Sequence, residues 1–267
     1  MLAEIALILL AGGAGLLTGA LMNALVARSP SGQAVLSRRA CAVCAHPVGV
    51  ADMFPVVGHM RLKGQCRKCR AVVPWHYAAT EGALALLFMV FAVRIIFSIW
   101  IPEYVSSTEY FLLFLRDALV SVSLVYIFLF DALASVIPDK LSLPAIGVAL
   151  LFNMMLGLPP LQILLGALLI ASFFAFQTLA SAGKWVGGGD VRVGFLMGAL
   201  LGPWIGVASL VLSYILGAIV GIHLLFFRRA KMTDHVPFGT FMVVAIVVMM
   251  LWGEKMLAWY FDLVPLT

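Results

Sequence analysis

The chain has 267 residues, of which 64% are hydrophobic and only 11% are charged. A soluble domain of this size needs a polar exterior, which so few charged residues cannot supply. The net charge of +5 comes from basic residues beside apolar runs, without the interleaved aromatic residues that stack on bases, so the composition argues against nucleic acid as a partner. These numbers predict an all-α polytopic membrane protein in contact with membrane lipid.

Apolar runs bounded by charged residues or by glycine and proline predict about eight transmembrane helices. The first run carries Glu4 where a secretory signal carries basic residues, so we expect a retained span. The stretch from Gly194 to Phe227 is too long for one crossing, and Gly202-Pro203 predicts a hairpin within it. The predicted spans are 4–27, 78–101, 111–130, 141–157, 160–181, 190–201, 204–227 and 237–261.

The distribution of basic residues predicts the orientation of the spans. If the loop 28–77 faces the cytoplasm, four loops on that side hold 14 of the 17 basic residues. Both termini then face the periplasmic or external side of a bacterial inner membrane. The 14 residues are Arg28, Arg38, Arg39, Arg61, Lys63, Arg67, Lys68, Arg70, Lys140, Lys184, Arg192, Arg228, Arg229 and Lys231.

All four cysteines lie in the loop 28–77, as the pairs Cys41-x-x-Cys44 and Cys66-x-x-Cys69. Two such pairs predict tetrahedral zinc coordination, and four protein ligands leave no open position for water, so we expect structural zinc. The alternatives are two disulfides or four unengaged thiols. A reducing cytoplasm disfavours the disulfides. His46 is a substitute ligand that four thiolates make unnecessary. We predict a first span 1–27, a zinc-binding module 28–77 and a membrane domain 78–267.

Two acidic residues stand at the ends of predicted spans. Asp131 follows the apolar run 111–130, and Asp190 closes Gly187-Gly188-Gly189-Asp190 where the span 190–201 begins. Carboxylates at a membrane edge are costly, so each is a functional hypothesis. Both are expected at the same face, where two facing carboxylates can share one proton and activate a water against a peptide carbonyl.

Other readings of this region remain open. Gly187 and Gly189 let the backbone approach a peptide closely, or they form a flexible loop only. The two aspartates could instead mark span ends or pair with Lys140, Lys184 or Arg192. Asp139 suits a turn or the cap of the fourth helix. Inside apolar segments, Arg94, Arg116 and Asp117 are expected to snorkel or to form an ion pair, and the glycines Gly198, Gly202 and Gly206 to permit close helix packing.

Together these residues resemble the bifunctional type IV prepilin peptidases, also called leader peptidase/N-methyltransferases, a branch of the GxGD aspartyl proteases. The resemblance implies cleavage of a leader from type IV prepilins or type II secretion pseudopilins at the cytoplasmic face. It also implies methylation of the new terminal amine from S-adenosylmethionine. Its further motifs are Gly19-Ala-Leu-Met-Asn23, Arg28, Pro30, Arg61-Leu-Lys-Gly64, Tyr77 with Glu81, Ile137-Pro138-Asp139, Leu143-Pro144 and Pro237-Phe238-Gly239.

The resemblance implies that Asp131 and Asp190 are the catalytic acids. The site-shaping candidates are Gly187, Gly189, Asp139 and Glu81, and Asn23 with Glu81 could serve the methyl transfer or only hydrogen-bond a helix end. The chain departs from the family pattern in Arg192 and Thr240, and in lacking a proline between Cys41 and Cys44, and we expect none of these departures to touch a catalytic carboxylate or a thiolate. A proton-coupled transporter and a non-enzymatic, zinc-dependent secretion assembly factor are the competing functions.

Overall fold

The computed structural model describes residues 1–28, 41, 43, 44, 46, 49, 56–227 and 237–263. These residues form α-helices and no strand, which confirms the all-α prediction. The helices are α1 Leu2–Arg28, α2 Val57–Arg61, α3 His76–Ile96, α4 Tyr110–Ala134, α5 Asp139–Met155, α6 Pro160–Ala180, α7 Gly188–Phe227 and α8 Phe238–Leu263. The side chain of Arg28 and the residues Pro30, Arg38, Arg39, Arg228, Arg229 and Lys231 lie outside the described residues.

Six of the helices are long and apolar enough to cross a membrane, namely α1, α3, α4, α6, α7 and α8. The chain is therefore a multi-pass membrane protein. The predicted number of eight spans is approximate, because α5 has only 17 residues and because α7, which is broken in its interior, takes the place of two of the predicted spans. The predicted span 78–101 ends early, at Ile96, because the chain turns through Ser98 and Trp100 in left-handed conformations.

The chain forms two compact units, Met1–Ile96 and Phe97–Thr267. In the first unit, α1 packs against α3. The helix axes approach closely at Gly15, where an added Cβ would lie 2.5 Å from the carbonyl oxygen of Leu84. A glycine is required there because a backbone atom cannot move aside as a flexible side chain can.

In the second unit, α5 and α8 each pack against both α4 and α7, and α6 packs against α7. Gly202 divides α7, with φ 73° and ψ −177°, and Pro203 follows it. The two halves fold back on each other, since an added Cβ on Gly206 would lie 3.5 Å from the Cα atom of Gly198. The predicted hairpin at Gly202-Pro203 is confirmed. Gly198 in turn lies directly against the backbone of Gly166 in α6, which leaves no room for a side chain.

Candidate functional site

Asp131 lies in the last turn of α4, which ends at Ser135 in a left-handed conformation. Its side chain is buried, and Oδ2 accepts a hydrogen bond of 2.8 Å from the backbone N–H of Thr240. The donor belongs to the first turn of α8, whose N–H groups have no partner within the helix. At Gly239, an added Cβ would lie 2.8 Å from Asp131 Oδ2. The first turn of α8 therefore encloses one edge of this carboxylate.

Asp190 lies in the first turn of α7, which begins within the triple glycine: Gly187 stands just before the helix, and Gly188 and Gly189 are its first two residues. The backbone N–H of Gly187 donates to Asp190 Oδ2 at 3.0 Å, while the N–H of Asp190 donates to the carbonyl of Gly187 at 3.1 Å. These reciprocal bonds fix the carboxylate at the helix start, in the manner of a capping box. The Asp190 side chain is only half-buried, so one side remains open to a ligand.

The structure brings these two acidic side chains together. Asp131 and Asp190 are close enough for their charges to interact. Ile137, in the segment between α4 and α5, lies between the first turn of α7, which carries Asp190, and the first turn of α8, which contacts Asp131. Its side chain would be 2.8 Å from a Cβ on Gly189 and 3.0 Å from one on Gly239. Both glycines are thus needed for the segments to meet, and the role of Asp131 and Asp190 as catalytic acids stays a prediction.

Arg192 binds the segment between α4 and α5 rather than a predicted catalytic carboxylate. It forms an ion pair with Asp139, and Nη2 donates to the carbonyl oxygen of Ile137 at 3.2 Å. Asp139 is the first residue of α5, so its negative charge also faces the positive end of that helix. Within the described part of the chain, neither Asp131 nor Asp190 pairs with a basic residue, so the alternative that they are structural ion-pair partners is not supported.

Thr240 corrects one expectation from the sequence. This departure from the family pattern was expected to touch no catalytic carboxylate, yet its N–H is the donor to Asp131. A proline there would lack that donor. The Thr240 hydroxyl instead donates to the carbonyl oxygen of Pro237 at 2.7 Å. The sequence carries no signal for this contact, because Asp131 and Thr240 are 109 residues apart.

The four cysteines form a cluster that could hold a metal ion. Their Sγ atoms all lie within 4.8 Å of one another, with 3.7 Å between Cys41 and Cys69 and 3.9 Å between Cys44 and Cys66. Four thiolates at about 2.3 Å from a tetrahedral zinc ion stand about 3.8 Å apart, so the donor set and its spacing fit zinc. All four are free thiols, and His46 is not part of the cluster.

Local backbone structure presents the sulfurs. The second pair stands on a tight turn that backbone hydrogen bonds hold. The N–H of Cys66 donates to the carbonyl oxygen of Ala71 at 2.8 Å, and the N–H of Arg70 donates to the carbonyl oxygen of Cys66 at 2.9 Å. In the first pair, the backbone N–H groups of Cys44 and Val43 lower the pKa of Cys41 to about 6. Donors aimed at sulfur favour the thiolate, which is the form that binds metal.

Glu81 lies in the first unit, on α3, whereas both aspartates belong to the second unit. It is buried, and both carboxylate oxygens are occupied. Asn23 donates to Oε1 at 3.2 Å, and the backbone N–H of Val56 donates to Oε2 at 2.8 Å. Asn23 in turn accepts a hydrogen bond of 3.0 Å from Thr80. Of the two readings from the sequence, these contacts fit the hydrogen-bonding role of Asn23 and Glu81.

Comparison with known proteins agrees with this architecture. A model of the bacterial peptidase A24 N-terminal domain matches residues 14–95, and a model of the type IV leader peptidase family matches residues 118–222. No solved structure matches the chain.

Among curated proteins, the chain is 30% identical over 232 residues to a prepilin leader peptidase/N-methyltransferase of Aeromonas salmonicida, covering 85% of this chain and 75% of that protein. It is 28% identical over 232 residues to the enzyme of the same name from Aeromonas hydrophila, with the same coverage. With the Pseudomonas putida enzyme of that name it shares 28% identity over 224 residues, covering 82% of this chain and 73% of that protein. This chain therefore belongs to the type IV leader peptidase family.

Proposed function

We propose that the chain is a membrane aspartyl endopeptidase that removes the leader peptide from type IV prepilins or pseudopilins at the cytoplasmic face. The observation that carries the proposal is that the first turn of α7, which carries Asp190, and the first turn of α8, which contacts Asp131, meet at Ile137, so that the two carboxylates come within electrostatic range of each other. Peptide hydrolysis by an acid pair needs this arrangement, because one carboxylate must be ionised while the other holds a proton.

The chemistry assigns complementary roles to the two acids. The ionised carboxylate takes a proton from a water as the water attacks the scissile carbonyl carbon. The protonated carboxylic acid donates to the carbonyl oxygen, and the tetrahedral intermediate then collapses as the leaving amine takes up a proton. The half-buried face of Asp190 and the adjoining Gly187 turn offer an extended peptide a path, since no side chain protrudes from that backbone.

We further propose that the loops 28–77, 131–140, 181–192 and 228–236 face the cytoplasm, since they carry most of the basic residues. The division into a span 1–27, a zinc module 28–77 and a peptidase domain 78–267 also stays a proposal. The zinc ion that Cys41, Cys44, Cys66 and Cys69 would bind supplies folding energy for the module, because a loop of this size has little apolar core.

Methylation of the new terminal amine is proposed from the names of the relatives, which are leader peptidase/N-methyltransferases. Of the polar groups that the sequence suggested for it, Asn23 donates to one carboxylate oxygen of Glu81, and the other carboxylate oxygen of Glu81 accepts from the backbone N–H of Val56. They do not fit a cradle for S-adenosylmethionine, so we derive no step through that cofactor.

The test is incubation of the purified protein with a prepilin and S-adenosylmethionine, followed by mass spectrometry of the product. Loss of the leader and a gain of one methyl group are expected from the wild type. Asp131→Asn and Asp190→Asn should each abolish leader removal, because neither acid can do the work of both. Asp262→Asn is the matched control, since this exposed carboxylate lies near the C-terminal end of α8, far along that helix from the turn that contacts Asp131, and it should retain cleavage.

Two results would contradict the proposal. Cleavage by Asp131→Asn or Asp190→Asn at the wild-type rate would remove that residue from the mechanism. Pilus assembly that survives both aspartate variants but fails when the cysteines are replaced would instead identify a zinc-dependent assembly factor.

A further inference from the structure

Asn153 is a polar residue in the otherwise apolar second half of α5, and its side chain is completely buried. An amide group in such surroundings costs several kcal/mol unless its donors and acceptor are all satisfied. The structure satisfies them through two other helices. In the sequence, the signal for this contact is a lone asparagine in the apolar second half of the helix.

The amide nitrogen of Asn153 caps the broken end of α7. Its Nδ2 donates to the carbonyl oxygen of Ala199 at 2.8 Å and to that of Leu200 at 3.0 Å. In an unbroken helix the Ala199 carbonyl would accept from residue 203, which is Pro203 and has no N–H. The Leu200 carbonyl loses its partner to the same break at Gly202. Asn153 thus replaces two backbone donors that the hairpin removes.

The amide oxygen of Asn153 connects this cap to α4. Arg116 Nη1 donates to Asn153 Oδ1 at 2.7 Å, which also fixes which end of the amide is the oxygen. The remaining face of the guanidinium is held by Asp117, whose Oδ1 accepts from Arg116 Nε at 2.9 Å and from Nη2 at 2.8 Å. The expected ion pair between these two residues is confirmed. A continuous buried polar chain therefore runs from α4 through α5 to α7.

This buried polar chain of side chains joins α4 and α7, which are the helices that carry the proposed catalytic acids. Along α4, Asp131 is 15 residues from Arg116, or about 22 Å, and along α7, Asp190 is 9 residues from Ala199, or about 14 Å. Close packing sets one register between helices, and hydrogen bonds between buried groups in a membrane interior reinforce that register, because a slip would leave those groups unsatisfied. The polar chain is therefore suited to set the axial position of α7 relative to α4.

We infer that Asn153 is a positioning residue of the peptidase: it ties the first half of α7 to α4, so that Asp190 is presented to Asp131. The inference rests on the proposed function. It predicts that loss of the tie impairs the chemical step and leaves binding of the prepilin unchanged, because the peptide binds at the other end of these helices.

The test compares kcat and KM for prepilin cleavage in the purified full-length protein. Asn153→Leu removes both donors and the acceptor at similar volume, and Asn153→Asp retains size and an acceptor for Arg116 while removing the donors to α7. Both should lower kcat about 10- to 100-fold, since misplacement of a catalytic group by about 1 Å has an effect of that order. KM should change less than twofold. Ser209→Ala is the matched control, because this buried α7 hydroxyl has no hydrogen-bond partner within the described residues.

A second measurement does not depend on activity. Hydrogen–deuterium exchange of peptides from residues 190–201 should become faster in both Asn153 variants and remain unchanged in Ser209→Ala. A wild-type kcat together with unchanged exchange in Asn153→Asp would overturn the inference, as would a lower melting temperature with unaltered kcat, which marks a structural role only. Failure of the proposed function is distinct, since the wild type would then not cleave the prepilin, or Asp131→Asn and Asp190→Asn would still cleave it.

Discussion

Gly239→Ala tests how tightly Asp131 is held. A Cβ at this position would lie 2.8 Å from Asp131 Oδ2 and 3.0 Å from its Cγ, with the Ile137 side chain also at 3.0 Å. Ordinary van der Waals contact begins near 3.4 Å, so the carboxylate or the first turn of α8 must move by about 0.6 Å. The hydrogen bond from Thr240 is made by the same turn, so either movement also disturbs that bond.

The magnitude follows from the tolerance of catalytic geometry. Groups that are displaced by more than about 0.5 Å lose efficiency, and a displacement of 1 Å costs about 100-fold. We therefore expect Gly239→Ala to reduce kcat for prepilin cleavage by about 10- to 100-fold, which corresponds to a barrier higher by about 1.4–2.7 kcal/mol. Mass spectrometry of a cleavage time course measures the rate.

Gly147→Ala is the matched control for this variant. Gly147 also lies in a helix of the second unit, and a Cβ there would meet nothing within 4 Å. The control should cleave at the wild-type rate, and its helix should be slightly more stable, because alanine is the better helix former. A wild-type rate for Gly239→Ala, with Asp131→Asn inactive, would show that the first turn of α8 does not constrain the carboxylate of Asp131.

Three further predictions concern other parts of the chain. Gly198→Ala places a methyl group against the backbone of Gly166, so the free energy of unfolding, measured by thermal unfolding in detergent, should fall by about 1–3 kcal/mol. Gly221→Ala, with open space around it, should lose no stability, and equal stability of the two variants would contradict the close approach. Cys66→Ser should lower the zinc content of the purified protein from one ion per chain to nearly none, by elemental analysis, and full retention would disprove four-thiolate coordination. Arg192→Gln should reduce kcat about 3- to 10-fold, and by more than Asp139→Asn does, because the loss of Arg192 also removes the donor to the Ile137 carbonyl. An equal kcat for the two variants would show that the contact with this carbonyl is immaterial.

Several features could be predicted because they depend on local composition. Apolar runs report the spans directly, since every backbone polar group in lipid must be satisfied within a helix. The paired cysteines predicted the cluster, because the spacing within each pair is itself the geometry of a metal-binding turn. The break at Gly202-Pro203 could be predicted for the same reason, because glycine and proline restrict or permit particular backbone conformations whatever their neighbours are.

The contacts around Asp131 could not be predicted in this way. The donor from Thr240 is a backbone N–H, so the identity of the side chain at position 240 does not predict the hydrogen bond. The donor is also 109 residues from Asp131 along the chain. Likewise, Arg192 could be expected to pair with any of several nearby acids, and its choice of Asp139 follows from where the segment after α4 lies. Only the packing of the helices decides such pairings.

The sequence by itself thus determined which segments are apolar enough to enter the membrane, where four thiols could hold zinc, and which two acids stand at the ends of spans. The tertiary structure alone decided that those acids approach each other, that Ile137 lies between the first turns of α7 and α8, and that Asn153 joins the end of the first half of α7 to α4. The physical reason is that hydrophobicity and backbone preference act over a few neighbouring residues, whereas the axial register of two helices depends on hydrogen bonds and close contacts between residues far apart in the chain.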